Sequence, residues 1–135
     1  YIKKHKLNDW IKIKGFVHNN KVKEVLINAN VLLHPSFREG GSWSIMEAMS
    51  NGLPVICLNT SGSKDMVTEN CGILISVKSI NQIEKDIGSA LTRLQTDTQF
   101  YHLLSKNAFR RIKEEYTWGN RAQQIKAVYD LILRN

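Results

Sequence analysis

From Ile11 to Gly15 apolar and basic side chains alternate, "IKIKG", the period of a strand with one wet face, closed by a glycine. The next stretch, "NKVKEVLINAN", changes to helical spacing, with Val22, Val25, Leu26 and Ala29 on one stripe. Three short apolar runs follow, in "VLLHPS", "PVICL" and "CGILISV". Strands read this way when helices cover both faces of a parallel sheet. Between the first two runs a helix is predicted from Ser42 or Ser44 to Asn51, carrying Ile45, Met46, Ala48 and Met49 inward. Gly52 suits the left-handed position after it, and Pro54 blocks its continuation.

From Ser79 onward the pattern is helical. "SINQ" fits a capping box, Ile80, Ile83, Ile87, Leu91 and Leu94 keep one apolar stripe, and two further helices are predicted over 98–115 and 118–132. Strand, helix, strand, helix, strand, short helix, strand and then helices is the order of an α/β domain with a Rossmann-like, doubly wound parallel sheet. Four strands make a small sheet, whereas mononucleotide-binding sheets of this type often have about six. The opening "YIKKHKLNDW" carries neither an initiator Met nor a signal-peptide core. Residues 1–135 are therefore expected to be a single, N-terminally truncated domain.

Composition narrows the classes. With 42% hydrophobic and 23% charged residues the chain reads as globular. No apolar run approaches the roughly 20 residues of a membrane span. The net charge of +7 is concentrated at the ends: +5 over residues 1–30, −2 over 31–100 and +4 over 101–135. Basic ends attract nucleic acid, acidic lipid or a phosphorylated substrate, or are simply solvated faces. There is no aromatic RNA-binding pair, zinc-finger spacing or GxxG clamp, and no nucleic-acid partner is expected. Cys57 and Cys71 read as free thiols. No His, Asp and Glu set has metal-ligand spacing and no Ser stands in GxSxG, so metal and hydrolase readings start low.

The candidate chemistry lies in "HPSFREGGS", a loop that leaves a strand's carboxyl end and enters a helix, where ligands of such sheets bind. Gly40 and Gly41 permit close backbone approach, and the free amides of the first helical turn attract anions; a plain turn accounts for the same residues. Glu39 and Glu47 bracket this turn, and a carboxylate's two acceptor oxygens match the paired hydroxyls of a sugar ring. Competing roles are a capping box between Ser44 and Glu47, and a solvated Glu39 paired with Arg38. His34 sits at the crevice edge within reach of a substrate hydroxyl, and Trp43 either stacks on a ring or packs in the core. The next loop, "NTSGSKDMV", repeats the arrangement, with Ser61 leading into a turn at Gly62 and Ser63 as a candidate N-cap.

These residues resemble the donor-binding half of retaining glycosyltransferases of the GT-B fold, in the family 4 group. The signature of that group places two glutamates with seven residues between them, as Glu39 and Glu47 stand here. The likeness extends through "EAM", "GLPVI", the turn at Gly62 and Asp65, and "CGILI", and includes "IKIKGFV" and "VLLHPS" before and "EEYTW" after.

The resemblance implies a partial C-terminal domain of a GT-B fold. It implies transfer of a hexose or hexosamine from a nucleotide-diphosphate sugar, UDP- or GDP-linked, to a glycan or lipid-linked acceptor, with no cofactor or metal. It places Glu39 near the donor sugar as the catalytic residue and Glu47 on the ribose. The diphosphate falls on the amides of Gly40, Gly41 and Ser42, with Ser61 to Ser63 nearby. An N-terminal acceptor-binding domain and an Arg or Lys pair would precede the chain. The expected setting is cytoplasmic, with peripheral contact at an acidic inner membrane face, in polysaccharide or lipopolysaccharide synthesis.

Where the family commonly has Gly-Phe-Gly after the first glutamate this chain has "GGS", and "SGSKD" replaces Gly-Gly-x-Pro-Glu. Two alternatives stay open: a nucleotide-sugar epimerase of the same fold, and a noncatalytic basic module for nucleic acid or acidic lipid.

Overall fold

A computed structural model describes residues 1–133 of the 135. Three parallel strands, β1 (Leu32–His34), β2 (Val55–Leu58) and β3 (Gly72–Ile75), lie side by side in sequence order. Leu33 stands opposite Ile56, and Ile56 opposite Ile73. Helix α1 (Asn19–Ile27) precedes β1, α2 (Trp43–Ser50) and α3 (Ser61–Met66) form the two crossovers, and α4 (Ile80–Thr96), α5 (Thr98–Glu115) and α6 (Trp118–Leu133) close the chain. The expected α/β parallel architecture is present.

β2 is buried along its whole length, and its alternating side chains feed two cores. Val55 and Cys57 join Ile45, Ala48 and Met49 of α2, Met66 and Val67 at the end of α3, and Ala108 of α5. Ile56 and Leu58 join Ile75 of β3, Ile83, Ala90 and Leu94 of α4, and Leu104 of α5. An unbroken apolar strand is what this two-sided burial requires. Each buried Ile, Leu or Val contributes about 1.5–3 kcal/mol over exposure, so the central strand fixes the plane from which the crevice loops depart.

Local signals explain where α2 begins and ends. Ser42, in extended backbone, accepts the Ile45 amide on its hydroxyl and is the N-cap. At the other end Gly52 has φ +73°, its amide reaches Met49 O, and the Leu53 amide reaches Ala48 O. These paired bonds satisfy two otherwise free carbonyls and demand a residue that tolerates positive φ. The predicted cap at Ser79 also forms, accepting from the Gln82 amide, whereas the Gln82 side chain turns to Asp86 instead of completing the box. The helices predicted over 98–115 and 118–132 match α5 and α6 within a residue.

Three expectations fail. No strand forms at 11–15: Ile13 is 81% exposed, flanked by Trp10 at 85% and Phe16 at 85%. A strand needs a neighbour to complete its ladder, and no described segment pairs there. Ser44 does not begin α2 but lies inside its first turn, so no capping box joins it to Glu47. Ser63 caps nothing: α3 starts after Thr60, and Ser63 lies within the helix, fully buried. Among the described residues no helix is long and apolar enough to cross a membrane.

Candidate functional site

β1 and β2 end at the same edge of the sheet, and each passes the chain to a helix through a short loop. The crevice outside the carboxyl ends of parallel strands is therefore bounded by residues 35–42 on one side and 59–60 with the start of α3 on the other. His34 is the last residue of β1, and its Nε2 lies 3.0 Å from Oε2 of Glu39, both side chains about one-fifth to one-quarter exposed. Glu39 is thus fixed against the strand end. No ion pair joins it to Arg38 among the described residues, which removes the solvated-loop alternative.

Gly40 and Gly41 are exposed, and a β-carbon on either would meet nothing within 4 Å. The amides of Gly40, Gly41, Trp43 and Ser44 donate to no partner among the described residues. Four uncommitted donors at the positive end of α2 are what an anion requires. Ser42 departs from the expected set. It is buried, its amide donates to Met66 Sδ at 3.3 Å, and its hydroxyl is spent on the cap. Its role is to hold the turn.

Glu47 is exposed one turn after Trp43 on the same helix face, and its carboxylate has no hydrogen bond or ion pair among the described residues. Trp43 is 66% exposed, so the core-packing alternative is wrong for it.

The second loop is built differently. Ser61 has φ +43°, and the Gly62 amide donates to Glu39 O at 2.7 Å. Thr60 Oγ1 adds a bond to Ser36 O at 3.3 Å. A β-carbon on Gly62 would stand 2.7 Å from Gly40 O and 2.8 Å from Glu39 O. This loop is a buttress beneath the glycine turn.

A cavity of about 550 Å³ opens on the glycine turn. One wall is Gly40, Gly41, Trp43 and Met46, the second is Gly62, Asp65 and Met66, and the third is Tyr116, Trp118, Arg121 and Ile125 from the junction with α6. Sequence reasoning had no site role for that third wall, since periodicity does not say which loop a distant helix will face. A tight aromatic and cationic cluster at Tyr116–Arg121 was the available signal. The wall is anchored: Arg111 donates from Nε to Met66 O at 2.9 Å and from Nη2 to Asp65 O at 3.0 Å, and Tyr116 Oη donates to Asp65 O at 3.0 Å. Another cavity, of about 460 Å³, lies by Asn30, Val31 and Leu94 at the strands' amino ends, away from these loops.

Burial, reinforced by Cys71, pushes the Cys57 thiol up to about 11, so this sulfur stays protonated and unreactive at neutral pH. Both cysteines are free and buried. No set of three His, Cys, Asp or Glu among the described residues is arranged to hold a metal ion.

The family model for Glycosyl transferases group 1 matches residues 1–111. The chain is 26% identical over 129 residues to the phosphatidylinositol N-acetylglucosaminyltransferase gpi3 subunit of Schizosaccharomyces pombe, covering 96% of this chain and 27% of that one. It is 34% identical over 111 residues to the Escherichia coli UDP-Gal:alpha-D-GlcNAc-diphosphoundecaprenol alpha-1,3-galactosyltransferase, covering 82% of this chain and 27% of that one. Among solved structures, sucrose-phosphate synthase from Thermosynechococcus elongatus superposes with a TM-score of 0.81 at 25% identity, over 98% of this chain and 33% of that one. The chain spans about a quarter of the length of the curated relatives it matches.

Proposed function

Because the chain belongs to the glycosyl transferases group 1 family, we propose that it is the C-terminal, nucleotide-sugar donor-binding domain of a longer retaining glycosyltransferase. The observation that carries this reading is the set of uncommitted amides at Gly40, Gly41, Trp43 and Ser44, preceded in the chain by Glu39 and followed one turn into α2 by the unengaged Glu47, although neither carboxylate lines the cavity of about 550 Å³. The diphosphate of the donor rests on the amides. In sugar transfer the bond from the anomeric carbon to the diphosphate breaks and negative charge grows on the departing oxygen, so donors fixed in advance lower the barrier. Glu39, braced by His34, orients the hydroxyls of the transferred hexose or hexosamine, and Glu47 takes the ribose hydroxyls.

The relatives' names support the substrate classes. One uses UDP-Gal and an acceptor on diphosphoundecaprenol, and the other is a phosphatidylinositol N-acetylglucosaminyltransferase. A UDP- or GDP-linked donor and a glycan or lipid-linked acceptor follow for the parent protein, with a preceding domain to bind the acceptor. The basic terminal segments suit peripheral contact with an acidic cytoplasmic membrane face.

The test is calorimetry and turnover on the full-length protein. Glu47→Ala should weaken UDP or GDP binding by about tenfold, the size of a lost charged hydrogen bond. Glu39→Gln should lower kcat far more than it changes nucleotide affinity. A Glu47→Ala protein that binds the nucleotide like the parent removes the ribose assignment.

A further inference from the structure

A diphosphate brings at least two full negative charges, and a helix terminus answers with a partial one, roughly half a unit. The cavity above the glycine turn holds two full charges, Asp65 and Arg121, and neither is in an ion pair among the described residues. Asp65 has the wrong sign for an anion. Arg121 has the right one, and it is oriented: its guanidinium carbon lies 4.9 Å from the Tyr116 ring centroid and Nη1 donates to Gln124 Oε1 at 3.0 Å. Tyr116 is itself held through its hydroxyl on Asp65 O. The Nε and Nη2 hydrogens of Arg121 have no partner among the described residues. A planar guanidinium with a stacked face and free edge donors is a phosphate-binding fork.

Its position in α6 argues the same way. Arg121 stands in the first turn of that helix, which holds no acidic residue, and a cation there works against the helix dipole. Its local support comes from the Tyr116 ring and Gln124, not from the helix end. Residues from the first turns of both α2 and α6, Trp43 and Met46 on one and Trp118 and Arg121 on the other, contribute to the cavity wall.

We propose that Arg121 binds the diphosphate of the donor held on the Gly40–Gly41 turn, a cation that the chain supplies from its own last helix; this rests on the donor-site reading above. The contact is polar and ionic, with no covalent step.

The experiment is calorimetry on the full-length protein with the better bound of UDP and GDP, its monophosphate and its nucleoside, at low and moderate salt. Arg121 is exposed, so Arg121→Gln should fold, which a thermal melt checks. Arg121→Gln is expected to weaken diphosphate binding by about tenfold, to leave the nucleoside unaffected and to flatten the salt dependence, with Arg121→Lys recovering part of the loss. Asp65→Asn, which removes a like charge, should bind the diphosphate at least as tightly. Equal diphosphate affinity in Arg121→Gln, an equal loss for the nucleoside, or weaker binding by Asp65→Asn would each overturn the assignment of Arg121 and leave the donor site standing. If the unaltered protein binds neither nucleotide, the donor site falls and Arg121 with it.

Discussion

The loops after β1 and β2 look alike in sequence, each a small polar run with glycine entering a helix, yet they do opposite work. In the first, Gly40 and Gly41 have open space beside them and leave their amides free. In the second, Gly62 is pressed against the first, giving its amide to Glu39 O and leaving no room for a β-carbon. One glycine pair leaves room beside the turn, and the other glycine is small for the sake of the chain. A crevice of this kind needs both, because a turn with four uncommitted amides has few bonds of its own to hold its shape.

The sharpest way to break the contrast is to add one methyl group to each loop. Gly62→Ala puts a carbon into two backbone oxygens that cannot rotate away, so it should cost about 3 kcal/mol and displace residues 39–40, abolishing nucleotide binding. Gly41→Ala meets no neighbour and should change stability by less than about 0.5 kcal/mol. Its effect should fall on diphosphate affinity, where the methyl blocks close approach. Urea unfolding and calorimetry on both proteins decide it, and a Gly62→Ala protein as stable as the parent would show that the buttress is slack.

A smaller effect separates shape from contact within the first loop. Ser42→Ala removes the cap on Ile45 and should cost about 1 kcal/mol of stability. The Ser42 amide still reaches Met66, so the turn keeps its position and diphosphate affinity should move less than twofold, about 0.4 kcal/mol. A large loss of affinity at unchanged stability would return Ser42 to the ligand-contacting set.

What was legible in sequence follows from range. Ile83 and Leu94 of the α4 stripe, the stop at Gly52 and the buried run at Val55–Leu58 report contacts or backbone states set within a few residues, whereas Ile80 and Leu91 of the same expected stripe stand exposed, at 60% and 38%. Glu39, Gly40, Gly41 and Trp43 stand out in the sequence because they are neighbours at one loop-to-helix junction. The purpose of Gly62 was not legible, since its constraint comes from Glu39 and Gly40 across the crevice. Residues 11–15 carry a strand's alternation without a partner strand, and alternation cannot announce a partner. The wall formed by Tyr116, Trp118 and Arg121 depends on where α6 settles, a question of tertiary packing that no local period encodes.

The finest distinction lies between two serines on either side of the crevice. Ser42 is buried with its hydroxyl bonded, whereas Ser63 is buried with a hydroxyl that has no partner among the described residues. An unsatisfied buried hydroxyl costs about 1–3 kcal/mol, and alanine is also the better helix former by a few tenths. Ser63→Ala removes one oxygen, leaving a gap too small for water, so the loss of packing is slight. The expected net is a gain of up to about 1 kcal/mol, opposite in sign to Ser42→Ala and measurable in the same urea series. A loss at Ser63 would mean that its hydroxyl bonds to something in solution, making the second loop more than a support for the first.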